Sequence, residues 1–269
     1  MKLPIYQVDA FTGKVFGGNP AAVCPLDTWL PDATLQGIAA ENNLAETAFF
    51  VPRNDGGFDL RWFTPTIEMD LCGHATLAAA FVLFTEQNFA GDAIEFYSRS
   101  GILRVSRESE ILTLDFPSRS PQPCDAPEAL VRGLGAQPAD VLKSRDYFAV
   151  FKTAAEVQSL RPNFAALKTL DSLGIIATAP GEDCDFVSRF FAPQAGVDED
   201  PVTGSAHCTL IPYWSQRLGK NKLFARQISQ RGGELFCELA GDRVHIGGKA
   251  VLYLRGEIVL DDAATVHVK

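Results

Sequence analysis

CGHATLAAA, residues 72–80, sets a cysteine, a glycine and a histidine at the entrance of an apolar run. A related pentapeptide, TGSAH, stands at 203–207, with Gly204 131 residues beyond Gly73. Two further echoes flank this one. RWFTP at 61–65 returns as RFFAP at 189–193, offset by 128, and SRSGILRV at 98–105 returns as QRGGELFC at 230–237, offset by 132. The three matches keep their order and nearly their spacing, with a three-residue insertion before Thr203. Arg-aromatic-aromatic-x-Pro alone is ordinary strand-to-turn grammar, but an ordered set of three implies two halves built on one plan.

Pattern supplies the coarse structure of each half. Residues 5–11 alternate and are β-branched or aromatic, which predicts a strand; 17–23 form a turn feeding a second strand. Apolar Leu35, Ile38 and Ala39 predict a short amphipathic helix over 31–43. Strands follow at 46–52 and 58–65. Residues 75–84 are apolar nearly all round and predict a buried helix. A hairpin is expected at 102–108 and 111–117, and the Pro- and Ser-rich 117–127 as a linker. The second half repeats the theme, with a strand at DYFAVF, the RFFAP strand, an apolar helix over 205–218, and strands around 226–238, 243–246 and 250–260. The fold class expected is α+β: two pseudo-symmetric half-barrel domains, each a mixed sheet wrapped around a central helix. Their bounds are 1–117 and 128–255, with 256–269 a terminal strand able to return to the first half. Parallel layers would start both central helices at the cleft between the halves.

Composition narrows the partners. The 269 residues are 46% hydrophobic and 21% charged, ordinary for a chain that buries a sizeable core. A net charge of −9 argues against nucleic acid and against a polybasic membrane surface. No run of eighteen apolar residues predicts a membrane span, and the opening MKLPIYQVDAF carries no secretory h-region. Six scattered cysteines without CxxC read as reduced cytosolic thiols, neither a disulfide framework nor a zinc site; the four histidines are too dispersed to suggest a metal cluster. The expected location is cytoplasmic and no metal is expected.

Gly73 and Gly204 precede the two apolar helices. A helix start presents unpaired N–H groups and partial positive charge, and glycine lets a ligand approach them closely, so both starts suit a carboxylate or an oxyanion. Glu46, an acid set between apolar residues, is either a proton carrier or a surface strand-end glutamate. Asp200 either caps the turn into the second helix or orients a catalytic group. His74 reads as a neutral imidazole contacting substrate, since a helix start disfavours an imidazolium, or as a buried histidine bonded to a carbonyl. Ser205 and Thr203 are anion donors or plain first-turn residues. Cys72 is a dipole-activated thiolate or a buried thiol.

Taken together, GGNPAAV, AETAFFV, DLCGHATLAAA and DPVTGSAH, in this order across nearly the whole chain, resemble the PhzF family of phenazine-biosynthesis-like isomerases, which shares the diaminopimelate-epimerase fold. The resemblance implies a cofactor-independent isomerase, a homodimer, that shifts a proton on a small cyclic or amino carboxylate. It implies Glu46 as the proton-shuttling group, His74 and Asp200 as its catalytic helpers, and Gly73, Gly204 and Ser205 as substrate-binding residues. Epimerases of the wider superfamily use two cysteines. Here Cys72 matches the first, but the repeat puts Thr203 at the second, and a hydroxyl is no thiolate-like base near pH 7 without activation. The alternatives are a cysteine-dependent epimerase or racemase with another partner for Cys72, and a non-catalytic binding protein on this scaffold.

Overall fold

The computed structural model of the protein describes residues 1–261. The chain begins with β1 (Lys2–Ala10), β2 (Asn19–Pro25), α1 (Asp32–Asn42), β3 (Glu46–Pro52), β4 (Phe58–Phe63), β5 (Glu68–Met69), α2 (Gly73–Thr85), β6 (Ala93–Ser98), β7 (Gly101–Glu108) and β8 (Ile111–Pro117). It continues with β9 (Gln122–Pro123), α3 (Glu128–Leu134), β10 (Asp140–Lys143), β11 (Tyr147–Val150), α4 (Ala154–Ser159), α5 (Phe164–Leu167), β12 (Ile175–Pro180), β13 (Phe186–Ala192) and β14 (Val197–Asp200). The last elements are α6 (Gly204–Leu218), β15 (Lys222–Gln227), β16 (Gly233–Ala240), β17 (Arg243–Gly248) and β18 (Ala250–Val259).

Two units result. Unit 1 is Met1–Asp115 with the segment from Gly247, and unit 2 is Phe116–Ile246. Their ladders match strand for strand. In unit 1, β1 and β2 are antiparallel, β2 and β3 parallel, β3 and β4 antiparallel, β4 and β6 parallel, and β6 and β7 antiparallel. In unit 2 the same sequence of directions joins β10 to β11, β11 to β12, β12 to β13, β13 to β15 and β15 to β16. Mixed direction follows from the helical crossovers, because parallel neighbours cannot be joined by a tight turn. The internal sequence repeat is therefore a repeat of architecture, and the fold is α+β.

Each unit is built on one buried helix. From Gly73 to Phe84 every residue of α2 except Phe81 is buried, which its nearly unbroken apolar sequence requires. In α6 the residues from Ala206 to Pro212 are buried, and Trp214 stacks on Phe186 with ring centroids 5.6 Å apart. A satellite core in unit 1 sets Leu35, Ile38 and Ala39 of α1 against Phe49, Val51 and Phe63. No helix among the described residues is long and apolar enough to cross a membrane.

The structure differs from the sequence reading in four places. The second unit ends at Ile246 rather than at 255, because β18 is one strand that pairs with β1 along its length, from Ala10 opposite Ala250 to Lys2 opposite Val259. Of the expected terminal strand 256–269, residues 262–269 lie outside the described residues. The expected linker 117–127 is tied into unit 2: Ser118 and Arg119 donate their N–H groups to Asp242 and Cys208, and β9 pairs with β10. The single strand expected at 226–238 is the hairpin β15–β16, turned at Gly232, whose φ of +65° suits a residue without a side chain. Finally, β6, β12 and the short helices α3, α4 and α5 carry too few periodic residues to stand out from pattern alone.

Candidate active site

Asn19, Glu46, Cys72 and His74 meet at one end of the unit 1 sheet. The parallel β2–β3 ladder sets Ala21 opposite Glu46, so Asn19, two residues earlier, lies at the same end as the carboxylate. Gly18 fixes the approach to Asn19: its φ is +60°, and a Cβ there would stand 2.1 Å from the Ala10 carbonyl oxygen. The second residue of α2 then brings His74 between these groups. Its Nε2 faces Glu46 Oε2 at 3.1 Å, while its Nδ1 lies 3.1 Å from Asn19 Nδ2 and 3.6 Å from Cys72 Sγ.

This gathers a carboxylate, an imidazole and a thiol within 4.8 Å of one another in a nearly dry setting. His74 is 4% exposed and Cys72 6%. Glu46 Oε2 and His74 Nε2 are both buried and face each other as a potential ion pair. Burial opposes a charge on His74, but the Glu46 carboxylate beside Nε2 favours one and raises the imidazole above the usual histidine range. The nearby carboxylate thus opposes the helix dipole, which alone favours the neutral imidazole expected from the sequence. Burial, with Glu46 adding to it, pushes the Cys72 thiol up, away from a thiolate.

The donor atoms of Glu46, Cys72 and His74 lie within 4.8 Å of one another, a trio of the type that holds a soft divalent cation. The closest approaches, however, fall on opposite ring nitrogens, Sγ on Nδ1 and Oε2 on Nε2. That geometry fits a proton relay better than a single metal position. A cavity of about 370 Å³ in unit 1, lined by Phe81, Phe84, Arg107 and Lys249 among others, includes none of the three.

The remaining predicted residues gather in unit 2. Thr203 Oγ1 donates to Asp200 Oδ2 at 2.5 Å, and Gln227 closes the network: its Oε1 accepts from Thr203 N at 2.9 Å and its Nε2 donates to Asp200 O at 2.8 Å and Thr203 Oγ1 at 3.1 Å. Asp200 therefore engages the residue before the helix. Thr203, so engaged, makes no side-chain cap, nor does Cys72 on α2, and neither helix has an acid in its first turn. Both starts therefore keep the positive end of the dipole uncompensated. Ser205, second residue of α6, accepts from Arg145 Nη2 at 3.3 Å, as His74 at the matching place in α2 meets Asn19. The repeat extends to Thr76 Oγ1, which donates to the Cys72 carbonyl at 2.5 Å, and to His207 Nδ1, 2.8 Å from the Thr203 carbonyl.

Sequence reasoning missed Asn19, Gln227 and Arg145. Asn19 looked like turn grammar, and its only signal was an amide leading directly into an apolar strand.

Two mixed-sheet units around buried helices, with a carboxylate, an imidazole and a thiol gathered where one helix starts, define the epimerase-like class of α+β folds. A hydroxyproline epimerase from Agrobacterium vitis has this fold at a TM-score of 0.62 and 11% identity, over 97% of this chain and 94% of its own. The family model for phenazine biosynthesis-like proteins, PhzC-PhzF, matches residues 8–256. An uncharacterized isomerase of Pseudomonas aeruginosa is 54% identical over 260 residues, covering 97% of this chain and 100% of that one. The crystal structure of a PhzF-family phenazine biosynthesis protein from Enterococcus faecalis superposes with a TM-score of 0.95 at 49% identity, over 97% of this chain and 100% of its own. The chain belongs to the phenazine biosynthesis-like PhzC–PhzF family, and its class is isomerase.

Proposed function

We propose that the protein shifts a proton on a small cyclic or amino carboxylate, without a cofactor, with Glu46 as the acid–base group. The observation that carries this reading is the buried pair Glu46 Oε2 and His74 Nε2, 3.1 Å apart. The Glu46 carboxylate takes a proton from an sp³ carbon of the substrate, the π-electrons shift, and the Glu46 carboxylic acid, whose proton exchanges with solvent, delivers a proton to a different carbon. No electrons are gained or lost overall. His74, held protonated by its neighbours, stabilises negative charge as it develops. The Nδ1–H of that imidazolium is a donor, so Asn19 orients the ring with its amide turned to present Oδ1 in place of Nδ2.

The uncapped starts of α2 and α6 support Gly73, Gly204 and Ser205 as groups that bind negative charge on the substrate. Asp200, through Thr203, is a helper in unit 2. The cysteine-based alternative is weaker, since the Cys72 thiol is pushed up and the matching Thr203 hydroxyl is held by Asp200. Six free thiols fit a reducing cytoplasm, and the family resemblance favours a homodimer.

The test is Glu46→Gln, which preserves shape and removes the base. Wild-type protein turning over a member of a cyclic and amino carboxylate panel should place solvent deuterium in product. Glu46→Gln should lose at least about a thousandfold in kcat while keeping its far-UV spectrum and ligand-induced stabilisation. Full activity in that variant removes Glu46 from the mechanism, and an inactive Cys72→Ala beside it would favour the thiol.

A further inference from the structure

The two units share little chemistry at their helix starts, yet they share one ion pair in detail. Arg61 Nε and Nη2 donate to Glu68 Oε1 and Oε2 at 2.7 and 2.9 Å. Arg189 Nε and Nη2 donate to Glu199 Oε1 and Oε2 at 2.7 and 2.8 Å. Each guanidinium also lies over the aromatic ring two residues on, Phe63 at 5.1 Å and Phe191 at 4.9 Å. Glu68 stands four residues before Cys72, and Glu199 four residues before Thr203.

The surroundings of the two forks differ. The third anchor of Arg61 is Asp32, whereas Arg189 uses the Val157 and Leu160 carbonyls. The connection also differs. The β4–β5 turn is short, while the β13–β14 turn contains a 3₁₀ segment, Pro193–Ala195, and the three-residue insertion of the repeat falls between Pro193 and Glu199. One equivalent pairing survives, Trp62 opposite Met69 and Phe190 opposite Asp200, and the register of β13–β14 then shifts before Ala192 pairs with Val197. A fork retained while anchors and loop length change serves something both units need. Stability is a weak reason, because largely buried ion pairs are often replaceable by apolar residues at no cost. What both units need is a fixed lead into the central helix.

We propose that Arg61–Glu68 and Arg189–Glu199 are positioning pairs, each setting the short strand that delivers a helix start: Cys72 to His74 in unit 1, and Asp200 to Ser205 in unit 2. The planar fork allows one orientation, which a lysine does not reproduce. This rests on the assignment of Glu46 and His74 as the acid–base pair, but its test does not need turnover.

The test is imidazole NMR titration of the full chain. Arg61→Lys keeps the charge and loses the fork, so the His74 midpoint should move by about half a pH unit or more while His207 in unit 2 stays put. Arg189→Lys should leave His74 unmoved. If Arg61→Lys does not fold, Arg61→Met with Glu68→Met removes both charges together and takes its place. A folded variant with His74 titrating as in wild type overturns the proposal, as does failure of both variants to fold, which would make the pair a folding determinant. Full turnover in Glu46→Gln would sink the isomerase reading and leave this result standing.

Discussion

Acidification should unfold this protein partly through one histidine that the proposed chemistry does not use. His207 is fully buried in α6, with Nδ1 2.8 Å from the Thr203 carbonyl and the Phe186 ring centroid 5.9 Å from its own. Its Nε2 is buried without a hydrogen bond. Burial drives its pKa from 6.5 down to about 4, against a small upward pull from the Thr203 carbonyl. The sign follows from proton counting. Between pH 4 and 6.5 the unfolded chain binds a proton that the folded chain refuses, so stability is complete above 6.5 and falls as pH drops towards 4. Linkage puts the loss at about 1.4 kcal/mol at pH 5.5 and about 3.4 kcal/mol once pH is well below 4. The assay is urea unfolding of wild type and His207→Asn from pH 7.5 to 5.5, above the sequence pI of about 5.0. Asparagine keeps a donor for the Thr203 carbonyl and cannot titrate. Wild type should lose about 1.4 kcal/mol more than the variant over this range. Curves that run parallel within about 0.3 kcal/mol would refute the reasoning, because His74 and every carboxylate are common to both proteins.

Three further outcomes follow from the same contacts. Glu46→Gln removes the carboxylate beside Nε2, so the His74 imidazole should titrate lower than in wild type by NMR; an unchanged midpoint would mean that Glu46 does not hold the ring protonated. Thr203→Val breaks the bonds to Asp200 and Gln227 and should cost about 1–3 kcal/mol in chemical unfolding, with neutral behaviour showing that water replaces the network. Gly18→Ala forces a side chain into a φ of +60° and onto the Ala10 carbonyl, and should cost more than about 2 kcal/mol; a thermal midpoint equal to wild type would show that the loop yields freely.

The sequence carried the architecture because the repeat recorded it twice. CGHAT and TGSAH marked the two helix starts, and the offsets located an insertion that falls in the connection between β13 and β14. The buried helix over 75–84 was legible because an all-apolar run has no solvent face. Less of the site could be read. The acid–base trio joins residues 46, 72 and 74 to Asn19 through a parallel ladder, and pairing between distant strands leaves no local pattern. Gln227, on the strand after α6, reaches Thr203 through tertiary packing alone. The charge preference of His74 depends on a distance to Glu46 that only three dimensions supply, and an argument from the helix dipole alone does not contain it.

The last strand of unit 1 carries a consequence for how the chain is made. Because β1 takes β18 as its neighbour, Lys2 must wait for Val259 before its ladder can form. Unit 2, contiguous from Phe116 to Ile246, is complete before that strand leaves the ribosome. The first domain begun is the second finished, and an N-terminal strand that pairs early with β2 but must keep its other edge open through most of synthesis is the part most exposed to aggregation and most dependent on chaperones.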